Sequence, residues 1–135
     1  MSVKIGVSPI SWTNDDMPEL GKDTTVEHCL TEGKQAGYRG FELGGKWPKD
    51  SEILRPLFDK YSMDVVSSWF CGGLLADSLE DEIERITPHM NLLKDMGTEV
   101  IVYCEMALVF MEILVRHSQN ALSLMMVNGK SGLKS

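Results

Sequence analysis

The sequence predicts an α/β fold in which parallel strands alternate with helices. Two observations carry this. Short apolar, β-branched runs alternate with segments of helical periodicity, in the order βαβαβαβ. The strand-like runs are also apolar almost throughout, as in parallel strands covered on both faces. Right-handed crossovers then leave a (β/α) barrel or a doubly wound sheet. Eight βα units need about 250 residues. This chain has 135, enough for three and a half units before its composition changes.

The elements follow in order. "VKIGVSPI" (3–10) is the first strand. Thr24 and Glu27 form a capping-box pattern, and Val26, Cys29, Leu30 and Ala36 recur at helical spacing up to Gly37. "RGFELGG" (39–45) is a short strand ending in glycines. "DSEILRPLFDKYS" (50–62) is a helix with Asp50 or Ser51 as cap and Ile53, Leu54, Leu57, Phe58 and Tyr61 as its apolar face. Pro56 falls early in it, where proline is best tolerated. "MDVVSSWF" (63–70) is the third strand. Residues 78–97 form a longer helix with apolar Ile83, Ile86, Met90, Leu93 and Met96. Pro88 is expected to kink or divide it, and Gly97 to end it. "TEVIVYCE" (98–105) is the fourth strand.

Composition excludes several functions. The net charge of −7 and the lack of a basic stripe argue against nucleic acid. No GxGxxG follows the first strand and no GxxxxGK[ST] occurs, so the dinucleotide and P-loop fingerprints are missing. Cys29, Cys71 and Cys104 are widely spaced without a CxxC, against a zinc or disulfide framework; each is expected to be a small buried hydrophobe. "MSVKIGVSPI" is too short and too strand-like for a signal peptide, which makes a cytoplasmic location the expectation. "ALVFMEILV" is too short to span a membrane and carries Glu112.

Chemistry in such folds sits at the C-terminal ends of strands and in the loops that follow. Those positions hold Trp12, Thr13, Asn14, Asp15 and Asp16, then Glu42, Lys46 and Trp47, then Trp69, Phe70 and Cys71, and finally Glu105. Polar groups beside large aromatics suit a polyhydroxylated ring: aromatics cover C–H faces while carboxylates, amides and amines bind hydroxyls. Glu42 and Lys46 are the acid–base candidates. Asp15 and Asp16 also fit a solvated loop or a cap, and Trp12 and Trp69 also fit rim packing. His28 and His89 lie on helices, away from the strand ends, and "EDEIER" is a helix face.

Together, "IGVSPISWTNDDMPELG", "GYRGFELGGKWPKDSEILRPL", "SSWFCGGLL", "PHMNLLKDMG" and "VIVYCEMA" resemble inosose dehydratase, a family of xylose-isomerase-like TIM barrels. The resemblance runs from about Lys4 to about Ala107, with "WTNDDMPELG" its most distinctive segment. It implies the N-terminal half of a TIM barrel over residues 1–106. It also implies a lyase that removes water from 2-keto-myo-inositol in inositol catabolism. In that family a base takes the proton beside the carbonyl, a divalent metal (manganese or cobalt) stabilises the enediolate, and glutathione is linked to the activity. The family's metal ligands lie in the second half of the barrel, so no metal ligand is assigned in this chain. Trp12, Asn14, Glu42, Lys46, Trp69 and Glu105 match rim positions and are the expected substrate contacts. A sugar isomerase or epimerase of the same superfamily is the alternative, as is a non-enzymatic half-barrel that self-associates through its open sheet.

After "EMA" the family continues with "HGD…TPLSKRP", whereas this chain reads "LVFMEILVRHSQNALSLMMVNG". Joining the last base of each codon to the first two of the next recovers the family text. Phe110–Met111 gives His or Tyr, Met111–Glu112 forces Gly, and Glu112–Ile113 gives Asp or Asn. From Val115 onward the same frame permits "TPLSKRP". Residues 107–135 are therefore expected to be a shifted-frame translation, and the fragment to be inactive. The alternative is a divergent tail, whose good helix formers favour a helix.

Overall fold

The computed structural model describes residues 3–106. The expected aberrant tail, 107–135, lies outside the described residues. Four parallel strands form one curled half-barrel sheet in the order β1-β2-β3-β4, with three helices. The strands are β1 (Gly6–Val7), β2 (Gly40–Leu43), β3 (Asp64–Gly72) and β4 (Val102–Glu105). The helices are α1 (Val26–Gln35), α2 (Ser51–Tyr61) and α3 (Leu79–Asp95). The βαβαβαβ order of the sequence is thus realised as the first half of a barrel.

The helices are set by local chemistry. Thr25 caps α1 by accepting from His28 N at 3.1 Å, one residue later than the Thr24 capping box expected from the sequence. Asp50 caps α2 through Glu52 N at 2.8 Å, and Ser78 caps α3 through Asp81 N at 3.2 Å. α3 carries Glu80, Asp81 and Glu82 in its first turn and Lys94 in its last, matching the helix dipole. Gly37 (φ 93°) and Gly97 (φ 76°) follow α1 and α3 in the left-handed region that ends a helix. Pro88 does not divide α3, which continues from Leu79 to Asp95.

The outer face of the sheet holds the core. Phe41, Leu43 and Val65 pack there with Leu30 of α1, Leu54 and Phe58 of α2, and Leu92 and Leu93 of α3. A row of tilted rings runs Trp12–Phe41–Trp47–Phe58, with centroids 5.3, 5.5 and 5.3 Å apart. Gly33 lets α1 settle on this row, because a Cβ there would lie 2.4 Å from Phe41 Cε2.

Three strands are shorter than expected, β2 covering Gly40–Leu43 of the expected 39–45. β1 stops at Val7 because Pro9 has no N–H to donate; the chain turns into a 3₁₀ turn over Pro9–Ser11. β4 begins at Val102, and Thr98 before it is spent on Val65 O at 2.8 Å. Buried Glu82, only 3% exposed, departs from a solvated charge run. It accepts from Tyr103 Oη at 2.9 Å and Gly73 N at 3.2 Å, and pairs with Arg85.

His89 of α3 faces Phe70 at 5.3 Å, and its buried Nε2 has no partner among the described residues. Burial pushes its pKa down, and the nearby Lys49 ammonium adds to this. As pH falls through the ordinary histidine range, the unfolded chain takes up a proton that the folded one resists. Stability linked to His89 is therefore present above about pH 6.5 and lost below it. His89→Leu is expected to flatten the loss of urea midpoint between about pH 7 and about pH 5.5. An unchanged slope would show that His89 does not contribute to this pH dependence.

Candidate functional site

The inner face of the sheet is the one that the described helices leave uncovered. Strand alternation assigns it. Gly6 and Gly40 lie against Val66 on this face, where an added Cβ would come within 2.8 and 2.5 Å of the valine. A register shift between Phe41 and Glu42 makes Val66 a bulge residue, so Val66 and Ser67 both turn inward. Glu42 pairs in register with Ser67. Beyond it, Trp69 pairs with Val102 and Cys71 with Cys104 on the same face.

Glu42 is the chemical centre of this face. Its Oε1 accepts from Ser8 Oγ at 3.1 Å, and its Oε2 accepts from Ser67 Oγ at 2.9 Å. Strands β2 and β3 and the end of β1 thus fix one carboxylate from both sides. Trp69 follows on β3, 49% exposed, and its Nε1 donates to Cys71 Sγ at 3.2 Å. A half-buried carboxylate with two hydroxyls beside an open indole can accept hydroxyl protons and cover a ring face.

The other expected contacts are placed elsewhere. Trp12 has crossed to the outer side: its ring packs on Phe41, and its Nε1 donates to Glu32 Oε2 at 2.5 Å. The 3₁₀ turn after β1 carries it there. Trp47 is a core residue, 3% exposed, between Phe41 and Phe58. Asn14 organises its own loop, with Oδ1 accepting from Asp16 N and Met17 N, both at 2.9 Å. Asp15 accepts from Gly45 N at 2.7 Å and so ties the first loop to the second, where a solvated loop or cap was expected. Lys46 donates to Gly21 O, Lys22 O and Thr24 O at 2.6, 2.8 and 3.2 Å, clamping the approach to α1. Glu42 and Lys46 are therefore held by different partners. Glu105 pairs with Gly72, and alternation puts it on the outer face with Tyr103 instead of the inner rim.

The cysteines also divide. Cys29 is buried, and burial raises its thiol pKa. Cys71 is exposed and Cys104 half-buried, so these two are not the core hydrophobes expected. Ser8, Ser67 and Cys104, the register partner of Cys71, are the inner-face groups that motif reading missed. The period-two pattern carries a signal for Cys104, two residues past Val102, but none for Ser67, which the Val66 bulge turns inward, or for Ser8 beside a proline.

Among the described residues, no group of three or more His, Cys, Asp or Glu is placed to hold a metal ion. Glu42 alone does not make a divalent-metal site, so the described residues do not fit the metal that the resemblance implies. A cleft of about 390 Å³, lined by Val3, Lys4, Arg39, Ser62 and Asp64, lies at the N-terminal ends of the strands. That is the end opposite to where β/α barrels work. No helix among the described residues is long and apolar enough to cross a membrane.

A curled parallel half-sheet with its polar groups toward the strand C-termini defines the class: the first half of a β/α barrel with its inner face open. Comparison with known proteins gives the particular kinship. No protein-family model matches the chain. The chain is 49% identical over 105 residues to the rhizopine catabolism protein MocC of Rhizobium meliloti, covering 78% of this chain and 32% of that protein. It is 44% identical over 104 residues to inosose dehydratase of Mesomycoplasma hyopneumoniae, covering 77% and 34%. It is 40% identical over 104 residues to inosose dehydratase of Bacillus thuringiensis, covering 77% and 35%. The chain resembles inosose dehydratases and spans about a third of the length of the curated relatives it matches, consistent with an N-terminal fragment.

Proposed function

We propose that this chain carries the first half of the active site of a metal-dependent hydro-lyase that dehydrates 2-keto-myo-inositol. The observation that carries the reading is the identity with proteins named inosose dehydratase, 40–44% over 104 residues that include the Glu42 side of the barrel. The site geometry supports it. Glu42, fixed by Ser8 and Ser67, is the group on the inner face able to take a proton or hold a substrate hydroxyl. Trp69 offers the ring surface beside it. The manganese or cobalt that polarises the carbonyl in such chemistry would need ligands beyond the described residues, and glutathione, like the metal, stays with the proposed complete site. Cytoplasmic catabolism of a polyol ketone is the setting proposed.

Residues from about 107 onward we read as a shifted frame, which leaves the isolated chain without turnover. The test pairs two assays of 2-keto-myo-inositol dehydration with manganese or cobalt. The 135-residue chain is expected to show none. A chimera joining residues 1–106 to the remainder of the Bacillus thuringiensis enzyme is expected to be active. Turnover by the 135-residue chain alone would overturn the fragment reading. Isomerisation of a sugar by the chimera, without dehydration, would favour the isomerase alternative.

A second reading has its own observation. Among the described strands β1 and β4 are open edges, and Val66 (37% exposed) and Trp69 form an uncovered inner face. A half-barrel of this kind is suited to self-association, visible as a concentration-dependent dimer in size-exclusion chromatography.

A further inference from the structure

Cys71 and Cys104 are register partners on adjacent parallel strands. Neighbouring strands lie about 4.8 Å apart, inside the roughly 4.4–6.8 Å Cα separation that disulfides span. Alternation turns both side chains to the inner face. Both are free thiols, Cys71 exposed and Cys104 half-buried. The Trp69 indole N–H, donating to Cys71 Sγ at 3.2 Å, fixes the first sulfur on that face. β4 is bonded to β3 alone among the described strands, so it can shift to bring the second sulfur closer. Cys29 is buried on α1, among the core residues on the other side of the sheet, with its thiol pushed up by burial. It is a spectator.

We propose that Cys71 and Cys104 are an oxidisable dithiol that closes into a disulfide between β3 and β4 on meeting a low-molecular-weight disulfide. The exposed Cys71 thiolate attacks one sulfur of the reagent and releases its first thiolate, leaving a mixed disulfide. The Cys104 thiolate then attacks the Cys71 sulfur and releases the second. Two protein thiols are oxidised, one reagent disulfide is reduced to two thiols, and the two protein protons pass to those thiols. The closed pair staples the edge strand beside Trp69, at the working end of the inner face. This inference stands whether or not the dehydratase reading does.

The test treats the reduced 135-residue chain with hydroxyethyl disulfide, then alkylates it under denaturing conditions and maps its peptides. Before treatment all three cysteines are expected to alkylate, and afterwards Cys29 alone, with the Cys71 and Cys104 peptides linked within one chain. Trp69 emission is expected to change on closure and to return with reductant. In Cys71→Ser and in Cys104→Ser the intrachain link is expected to vanish, and the remaining inner-face cysteine to alkylate or carry the reagent. Three alkylated cysteines after treatment would overturn the proposal. So would a mixed disulfide at Cys71 that never closes, or a link found between chains only.

Discussion

Phe41→Ala is expected to lower stability by about 3–5 kcal/mol, the range for removing a buried aromatic ring. Phe41 is fully buried and sits between Trp12 and Trp47, with α1 resting on it through Gly33. Its loss would break the ring row in the middle and leave a cavity that α1 and α2 cannot close without leaving the sheet. Small domains hold a margin of about 5–15 kcal/mol, so the variant should unfold at markedly lower urea. Phe41→Leu refills part of the space and should cost less. A Phe41→Ala midpoint close to that of the parent chain would show that the core does not rest on this row.

Gly21→Ala is expected to be the most damaging change in the first loop. Gly21 has φ +71°, and a Cβ on it would lie 1.8 Å from the Trp12 carbonyl oxygen. That neighbour is backbone, so relief requires moving the loop. A left-handed non-glycine residue alone costs about 1–2 kcal/mol, and the displaced backbone adds to it. Three anchors move with the loop: Trp12 on Glu32, the Asn14 turn, and the Gly21 carbonyl that receives Lys46. The expected outcome is a loss of about 3 kcal/mol or more, with a changed Trp12 emission. Gly37→Ala is the control. Its φ is +93°, but an added Cβ meets nothing within 4 Å, so it should cost only the backbone preference. Equal effects at the two positions would refute the steric argument.

The parallel α/β architecture was legible because it depends on periodicity. Phe41 and Val65 are buried as their apolar runs predict, and so are Leu54, Phe58 and Leu93 of the helix stripes, whereas Val102 is half-buried and Ile53, Ile83 and Met90 of the expected apolar faces are exposed. The caps were legible to within one residue, since Thr24 and Thr25 are chemically alike and only backbone geometry chooses between them. Glu42 and Trp69 lie on the inner face, as their inward positions on regular strands let the sequence suggest. Trp12, Asn14 and Lys46 were assigned to a rim by chain position, yet loop side chains point where tertiary contacts send them. The carbonyls that capture Lys46 lie more than twenty residues upstream. Glu105 fell to parity: one residue along β4 separates the inner face from the outer. The Val66 bulge, which sets Ser67 against Glu42, has no signature in "DVVSSWF" (64–70).

On the proposed function, residues 3–106 are a working half of a polyol-ketone dehydratase barrel, with Glu42 at its centre. The most direct measurement is the dehydration rate of the chimera carrying this segment, with and without Glu42→Gln. The expected result is metal-dependent turnover of 2-keto-myo-inositol whose kcat/KM falls about 100-fold or more in Glu42→Gln, the scale of a lost acid–base group. A chimera that melts cooperatively yet shows no dehydration, or one indifferent to Glu42→Gln, would overturn the proposed function.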